Sequence, residues 1–554
     1  MNVRSRVIGT VCCWLVAVVI AIPVLTVLSS VARDSEGVWP HLVDTVLPTY
    51  IRDTVWLTLG VGLCTSVLGI TTAWLVTMHS FPGCQFLRWA LILPMAIPTY
   101  LSAYALTDLF QFSGPVQSQL RTMTGWTRQD YWFPEIRSLS GAIVILTLGL
   151  YPYVYLASRA GFATQSAAVI EAGRVLGAGP LRCFFQIALP LARPAILAGL
   201  ALVLMETVAE FGAVDYCAVD TFSTGIYRTW VTRGSLTGAS QLSACLLTVA
   251  VILLLMETSS RRALRFHHAT QRTQRSVPTP LSGVRKLFAC LFCSLPLVFG
   301  FLLPFCRFVA LTVQNGDQRA QELFGELLFN SVLLAGIASA LTVTTGLFMV
   351  SVRRLTPSAW LSPAVAFAGM GYAIPGGVIA IGILSPVWWC EDQLLQVLEN
   401  QFGYFPGLFI SGSLLTLILG YLVRFLAVPL QVLTAGLLRI RTSIDDASRT
   451  LGCSGLQLLF RIHLPLLRHS LAAAALLVFV DVLKELPATL ILRPFDFDTL
   501  AVRVYQLAAD ERLAEASTGA LAIIVVGLLP VILLTNIIDQ TPQSVTTERN
   551  AKAP

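Results

Sequence analysis

The chain has 554 residues, of which 55% are hydrophobic and only 12% charged, and its mean hydropathy is +0.74. Soluble domains carry about 25% charged residues, so water is excluded as the main solvent for this polypeptide. The formal net charge of +7 is concentrated between residues 257 and 286, where a basic stretch marks a membrane-flanking loop rather than a nucleic-acid surface.

A hydrocarbon core roughly 30 Å thick requires about 20 apolar residues per helix. Segments 138–158, 327–352, 355–390 and 516–538 contain no Asp, Glu, Lys or Arg. Backbone in lipid must satisfy its own hydrogen bonds, which calls for helices rather than open sheets. Hydropathy predicts spans near 7–29, 54–78, 86–112, 138–158, 193–212 and 239–256. A second set is predicted near 286–313, 328–352, 359–386, 406–426, 468–490 and 516–537. The first run is bounded by Arg4 and Arg6 and lacks a small-residue cleavage site, so it reads as a retained anchor helix. The expected fold is all-α integral membrane, with twelve transmembrane helices in two pseudo-symmetric six-helix halves. Its divisions are a first half over 1–256, a basic linker over 257–285, a second half over 286–537 and a polar tail over 538–554.

The linker fixes the expected orientation. It sets Arg261, Arg262, Arg265, Arg272, Arg275, Arg285 and Lys286 against Glu257 alone, and short cytoplasmic loops carry such an excess. Even span counts then place both termini in the cytoplasm and the segment around Glu391, Asp392 and Glu399 outside. The twelve cysteines lie mostly in apolar stretches. Cys290 and Cys293 form a CxxC inside a predicted span with no second ligand pair nearby, so they read as packing residues, and no metal site is expected.

The halves repeat one another. An offset of 277 residues lays Ala96, Ile97 and Pro98 on Ala373, Ile374 and Pro375. An offset of 275 lays the segment 171–199 on 446–474, with Ala172, Arg174, Leu176, Gly177, Leu181, Phe185, Ile187, Leu189, Pro190, Leu191 and Arg193 matched by identical residues. The same offset pairs Glu210 with Glu485, Ala213 with Ala488, Phe222 with Phe497 and Thr224 with Thr499. Each repeat has an even number of spans, so the symmetry axis runs along the membrane normal and the pathway is expected on it. Apolar and basic positions in the duplicated segment alternate at helical spacing, broken by Gly177, Gly179 and Pro180, which predicts two short helices around a turn. Such a pair either lies on the lipid interface or docks into a groove on another protein.

Glu171, Ala172 and Gly173, then Gly177, then Ile187 to Pro190, then Pro194, Ala195 and Gly199, resemble the EAA motif of permeases in binding-protein-dependent ABC importers. The resemblance implies a MetI-like permease fold with this segment as the coupling helix seated in a cleft of an ATP-binding subunit. Glu171, Ala172, Gly177 and Pro190 carry that role in the first copy, and Asp446, Ala447, Gly452 and Pro465 in the second. The second copy departs from the pattern at Asp446, Ser448, His469 and Ala474. Two copies on one chain imply two ATP-binding cassette subunits, with a periplasmic binding protein as the further partner. The segments 210–230 and 484–505 look like those of fused two-half ferric iron permeases, a pattern that thiamine, phosphonate, polyamine and sulfate permeases share in general form. The location implied is the bacterial inner membrane.

There is no GxxxxGK[ST] phosphate loop, so ATP is expected to be used by a separate subunit, with no cofactor on this chain. Nor is there an HExxH, a GxSxG or a zinc-spaced His/Cys cluster to suggest an enzyme. A secondary transporter driven by an ion gradient would share twelve spans and pseudo-symmetry, but not the duplicated EAA-like loop. The remaining candidates are Glu206 and Glu210 and their repeat partners Asp481 and Glu485, each pair four residues apart on one helix face near the expected outer end. They read either as structural ion-pair members, with Lys484 or Arg424 as partner, or as an outer cation-attracting vestibule or binding-protein contact.

Overall fold

A computed structural model describes residues 3–539 except 36, 166, 266–277, 316–317, 357, 359, 404–408 and 454. The centre of the linker and nearly all of the 538–554 tail therefore lie outside the described residues. Ten helices are long and apolar enough to cross a membrane, and two bent helix pairs, Cys84–Ala96 with Thr99–Thr124 and Leu414–Phe425 with Ala427–Leu438, bring the number to twelve. The lone two-residue strand pair among the described residues joins His79–Ser80 to Thr279–Pro280 of the linker.

Several predicted spans need correcting. The third is broken, with a bend of 94° between its two parts. Ile97 is extended (φ −96, ψ 117) because the ring of Pro98 excludes the helical region for its predecessor. Ile374 before Pro375 is likewise extended (φ −89, ψ 127), so the membrane helix of the ninth span is Gly376–Phe402 rather than 359–386. The tenth span is displaced toward the C-terminus, starting at the Ser413 cap and continuing to Leu438 through a bend of 45°. The sixth span continues as helix to Arg265, well into the segment expected to be the basic linker.

The repeat is visible in the backbone. Helix Leu139–Ala163 and the pair Leu414–Leu438 are offset by 275 residues at both ends, and each is capped by a serine, Ser138 or Ser413, whose hydroxyl accepts a backbone N–H. π-turns at Phe184–Ala188 and Leu459–His463 share that offset. Each is followed within two residues by a proline, Pro190 or Pro465, whose missing N–H releases a carbonyl and lets the helix widen. Beyond the fifth span the register slips. Thr499 caps Leu500–Ala509 as Thr221 caps Phe222–Val231, so Thr224 and Thr499, aligned in sequence, are not structural counterparts.

The halves are interlocked. The first helix lies against the second half, where a Cβ on Gly382 would approach the Pro23 carbonyl oxygen to 2.4 Å, so this crossing needs glycine. Reciprocally, the helix following the linker lies against the first half. Arg307 Nε donates to Asp108 Oδ2 at 2.5 Å, and Gly300 sits beside the Leu148 carbonyl and Pro94. Neither half therefore closes its core alone.

Candidate functional site

Two matched loops project from the face that carries the linker. The first consists of helix Ala167–Val175, a turn, and helix Pro180–Cys183; the second begins with helix Thr442–Thr450. Gly177 has φ 82 and Gly452 φ 84. These are left-handed conformations that close helices in the same way: Ala178 N donates to Gly173 O and Cys453 N to Ser448 O, both at 3.0 Å. The turn projects Leu176 and its counterpart Leu451 into the open, 86% and 85% exposed, beside Val175 and Leu181. Apolar side chains so exposed beyond the ends of membrane helices mark a surface that another protein covers. Glu171, Ala172, Asp446 and Ala447 all lie on exposed positions of these helices, whereas Pro190 and Pro465 sit at the first turns of the helices behind them.

The second loop has an anchor that the first lacks. Arg354 Nε donates to Asp445 Oδ2 at 2.7 Å, and its two terminal nitrogens reach the carbonyls of Leu437 and Ile440. His463 Nε2 lies 2.9 Å from Asp445 Oδ1. Burial alone would raise the Asp445 carboxyl, but the hydrogen bonds from Arg354 and His463 outweigh it and hold the group below its ordinary range. The 275-residue offset places Ile170 and Ala188 where Asp445 and His463 stand. The first loop is held instead by Gln165 Nε2, which donates to the Ala188 carbonyl at 2.8 Å. Arg354→Ala removes the guanidinium partner of the buried Asp445 carboxylate and leaves it to His463 alone, a loss of at most about 3 to 5 kcal/mol. Amide hydrogen exchange is expected to accelerate across 442–463 and to stay unchanged across 167–188; equal protection in both loops would contradict this.

At the centre of the bundle a cavity of about 120 Å³ is lined by all four acids, Glu206, Glu210, Asp481 and Glu485, together with Arg424, Lys484, Thr99, Tyr100, Tyr153 and Tyr372. Its volume is that of roughly four waters. Ile97, Pro98 and Thr99 line it as well; backbone broken at membrane depth is tolerated where it borders a cavity. Gly149 and Tyr153, also on its wall, lie near the middle of Leu139–Ala163, so the acids sit deeper than the outer-end position expected for them. The cause is the short helices after spans five and eleven, Gly212–Tyr216 with Phe222–Val231 and Pro487–Leu492 with Leu500–Ala509, which supply the rest of the chain length to the surface.

The two walls treat the same acids differently. In the first half Glu210 accepts from Thr99 Oγ1 at 2.6 Å and from Ala213 N at 3.0 Å. In the second, Glu485 Oε2 lies 3.1 Å from Arg424 Nε and Oε1 accepts from Ala488 N. Gly376, which begins its helix as Thr99 does, makes this possible: a Cβ there would stand 2.5 Å from Glu485 Oε1 and 2.8 Å from Arg424 Nη1. Lys484 Nζ pairs with Asp481 Oδ1 at 2.8 Å. At the matched positions of the first half stand Gly149 and Ala209 in place of Arg424 and Lys484. Among the described residues Glu206 makes no hydrogen bond or ion pair. Sequence reasoning brought all four acids and both bases into view but missed Thr99 and the three tyrosines, because hydroxyls and aromatics in apolar helices carry no pattern apart from packing. The position of Thr99 directly after the repeated Ala-Ile-Pro was the available signal.

Two interlocked membrane halves, a polar cavity on the axis between them and paired loops on one face define the class as a two-half solute permease. Residues 65–267 match the family described as binding-protein-dependent transport system inner membrane component. The chain is 25% identical over 536 residues to the Fe(3+)-transport system permease protein FbpB 2 of Haemophilus influenzae, covering 94% of this chain and 97% of that protein. It is 23% identical to the probable ABC transporter permease protein y4fN of Sinorhizobium fredii, covering 89% and 88%. The molybdenum transport system permease protein ModB of Escherichia coli is 29% identical but aligns with only 34% of this chain, as a one-half protein would. Residues 65–267 thus carry the match to that inner-membrane component, and the similarity to permeases of iron and other ABC systems runs through nearly the whole chain. The chain is a multi-pass inner-membrane transport subunit, and permeases of this kind work with ATPase and binding-protein partners.

Proposed function

We propose that the chain is the membrane pathway of an importer for ferric iron delivered by a periplasmic binding protein, with access alternated by two ATPase subunits. The central cavity is the observation that carries this reading. Its ionisable ligand atoms are carboxylate and phenol oxygens, with no thiol or imidazole, a donor set that suits a hard cation. Four carboxylates against two bases disfavour an anion such as sulfate. The relatives named for ferric or Fe(3+) transport align over 88 to 94% of this chain, whereas those named for sulfate or molybdenum align over 34 to 36%. In cells, radioiron uptake is expected to require this chain, while sulfate and molybdate uptake are not; uptake of radioiron unaltered by its deletion would refute the assignment.

One ATPase docks on each loop, 171–199 and 446–474, through Glu171, Ala172, Gly177, Pro190, Asp446, Ala447, Gly452 and Pro465. ATP is hydrolysed on those subunits. Glu206, Glu210, Asp481 and Glu485 line the pathway. Both loops and both termini are cytoplasmic, which is supported by the seven bases of the linker. A cysteine introduced at residue 270, in sealed membranes, is expected to react only with reagent supplied from the cytoplasmic side; labelling from outside would reverse the orientation.

A further inference from the structure

We propose that a cleft at the end of the membrane domain away from the two loops holds one anionic phospholipid, its phosphate on Arg503 and an acyl chain against Leu327, Leu507 and Gly519. The cleft encloses about 190 Å³, more than the central cavity, between the first turns of the spans Leu323–Leu355 and Leu513–Ile532 and the short helix Leu500–Ala509. The span Leu323–Leu355 runs from here to Arg354, the anchor of the second loop, which sets the cleft in the opposite leaflet. Its walls are mostly apolar, and three charged side chains reach it. Arg512 and Glu515 satisfy one another, with Arg512 Nε donating to Glu515 Oε1 at 2.7 Å. The half-buried Arg503 makes no side-chain hydrogen bond or ion pair among the described residues, so its charge is uncancelled. It stands six residues before the Ala509 end of its helix, about 9 Å below the polar turn 510–512 at 1.5 Å per residue. A long cationic side chain at that depth reaches toward phosphate oxygens, which its planar fork binds in pairs. The ligand that fits is apolar at one end and anionic at the other.

The first half shows this place filled by the chain itself. Phe222 N donates to Thr54 Oγ1 as Leu500 N donates to Ser331 Oγ, and Thr221 and Thr499 cap the matched helices. In that register Gly225 stands for Arg503 and Tyr50 for Leu327. Tyr50 lies so close over Gly225 that a Cβ there would meet its ring at 2.5 Å, and Val38 of the short helix Val38–Thr45 would stand 2.9 Å from a Cβ on Gly238 at the start of the sixth span. In the second half the tyrosine is a leucine and the glycine an arginine, and a cleft remains. Packing does not call for an unpaired charge at that position, since such a charge within a membrane span is costly unless something meets it. The cleft also leads into lipid: Thr518 on its wall shares a helix face with Val525 and Leu529, which are 56% and 48% exposed. Acyl chains reach that face, whereas a soluble partner does not.

The test uses the purified transporter with its ATPase subunits in detergent. Native mass spectrometry counts phosphatidylglycerol retained against phosphatidylethanolamine supplied at equal concentration. The wild type is expected to retain one phosphatidylglycerol per permease chain in preference. R503Q should retain about tenfold less, as expected for loss of a charge-assisted contact, and R233Q, an exposed arginine at the matching end of the first half, should retain as much as the wild type. Leu327→Tyr combined with Arg503→Gly copies the first half's plug and should lose the lipid; should that variant fail to fold, R503Q alone decides. Added phosphatidylglycerol is also expected to raise the melting temperature of the wild type and of R233Q but not of R503Q. Equal retention in wild type and R503Q, or no preference between the two lipids, would overturn the assignment. Displacement of the lipid by millimolar inorganic phosphate would show a site for free phosphate instead, and weakened binding-protein affinity in R503Q with lipid retention unchanged would give the cleft to that partner.

Discussion

Arginine at Gly177 or at Gly452 is expected to lower ATP-driven uptake about tenfold, and the double change about a hundredfold, with the permease still inserted in the membrane. Both residues hold left-handed φ values near 80°, a conformation that costs a side-chain-bearing residue about 1 to 2 kcal/mol, and each 1.4 kcal/mol is a factor of ten in an equilibrium. The strain relaxes by reshaping the turn, which displaces Leu176 or Leu451 from its exposed position. Nothing lies within 4 Å of the Cβ either glycine would gain, so the loss comes from the backbone and not from a clash with the protein's own core. The first loop is expected to be the more sensitive, because the second is pinned by Asp445, Arg354 and His463. Uptake and membrane yield measured together check this; normal uptake in the double variant would show that these turns do not couple to the motor.

The second large effect is expected at Arg424. Arg424→Ala leaves Glu485, 6% exposed, as a buried charge without its partner, a change that costs about 3 to 5 kcal/mol when such a pair is broken from one side. The variant should accumulate poorly and melt early in detergent. Arg424→Met combined with Glu485→Gln removes both charges and should recover most of the lost stability, since a missing pair costs far less than a stranded half. Thermal melts of the two variants test this, and equal destabilisation would mean that Arg424 acts through packing alone.

Much of this architecture was legible because it rests on local patterns. Apolar length gave most of the helices and identical residues at a constant offset exposed both loops, whereas the Ala-Ile-Pro repeat was read as duplication alone and the breaks at Pro98 and Pro375 went unpredicted. Glu206 with Glu210, and Asp481 with Glu485, stood out because carboxylates in apolar helices demand compensation. What escaped was set by geometry between distant residues. The tenth span was misplaced because its apolar stretch is divided by a bend after Phe425, and the depth of Arg424 depends on where that helix starts. Asp445 finds Arg354 91 residues away and His463 18 residues away. No spacing rule connects them, and the first half offers no matching trio to draw attention to them. The interlocked first helices likewise follow from packing at Gly382 and Gly300, glycines that in sequence resemble any other in an apolar run.

Native mass spectrometry of the affinity-purified complex tests most directly whether one chain provides both halves of an ATP-driven permease. The mass is expected to correspond to one copy of this chain with two ATPase subunits. Gly177→Arg together with Gly452→Arg should release both ATPases and leave the permease chain alone. A complex with two copies of this chain, each holding a single ATPase, would contradict the account.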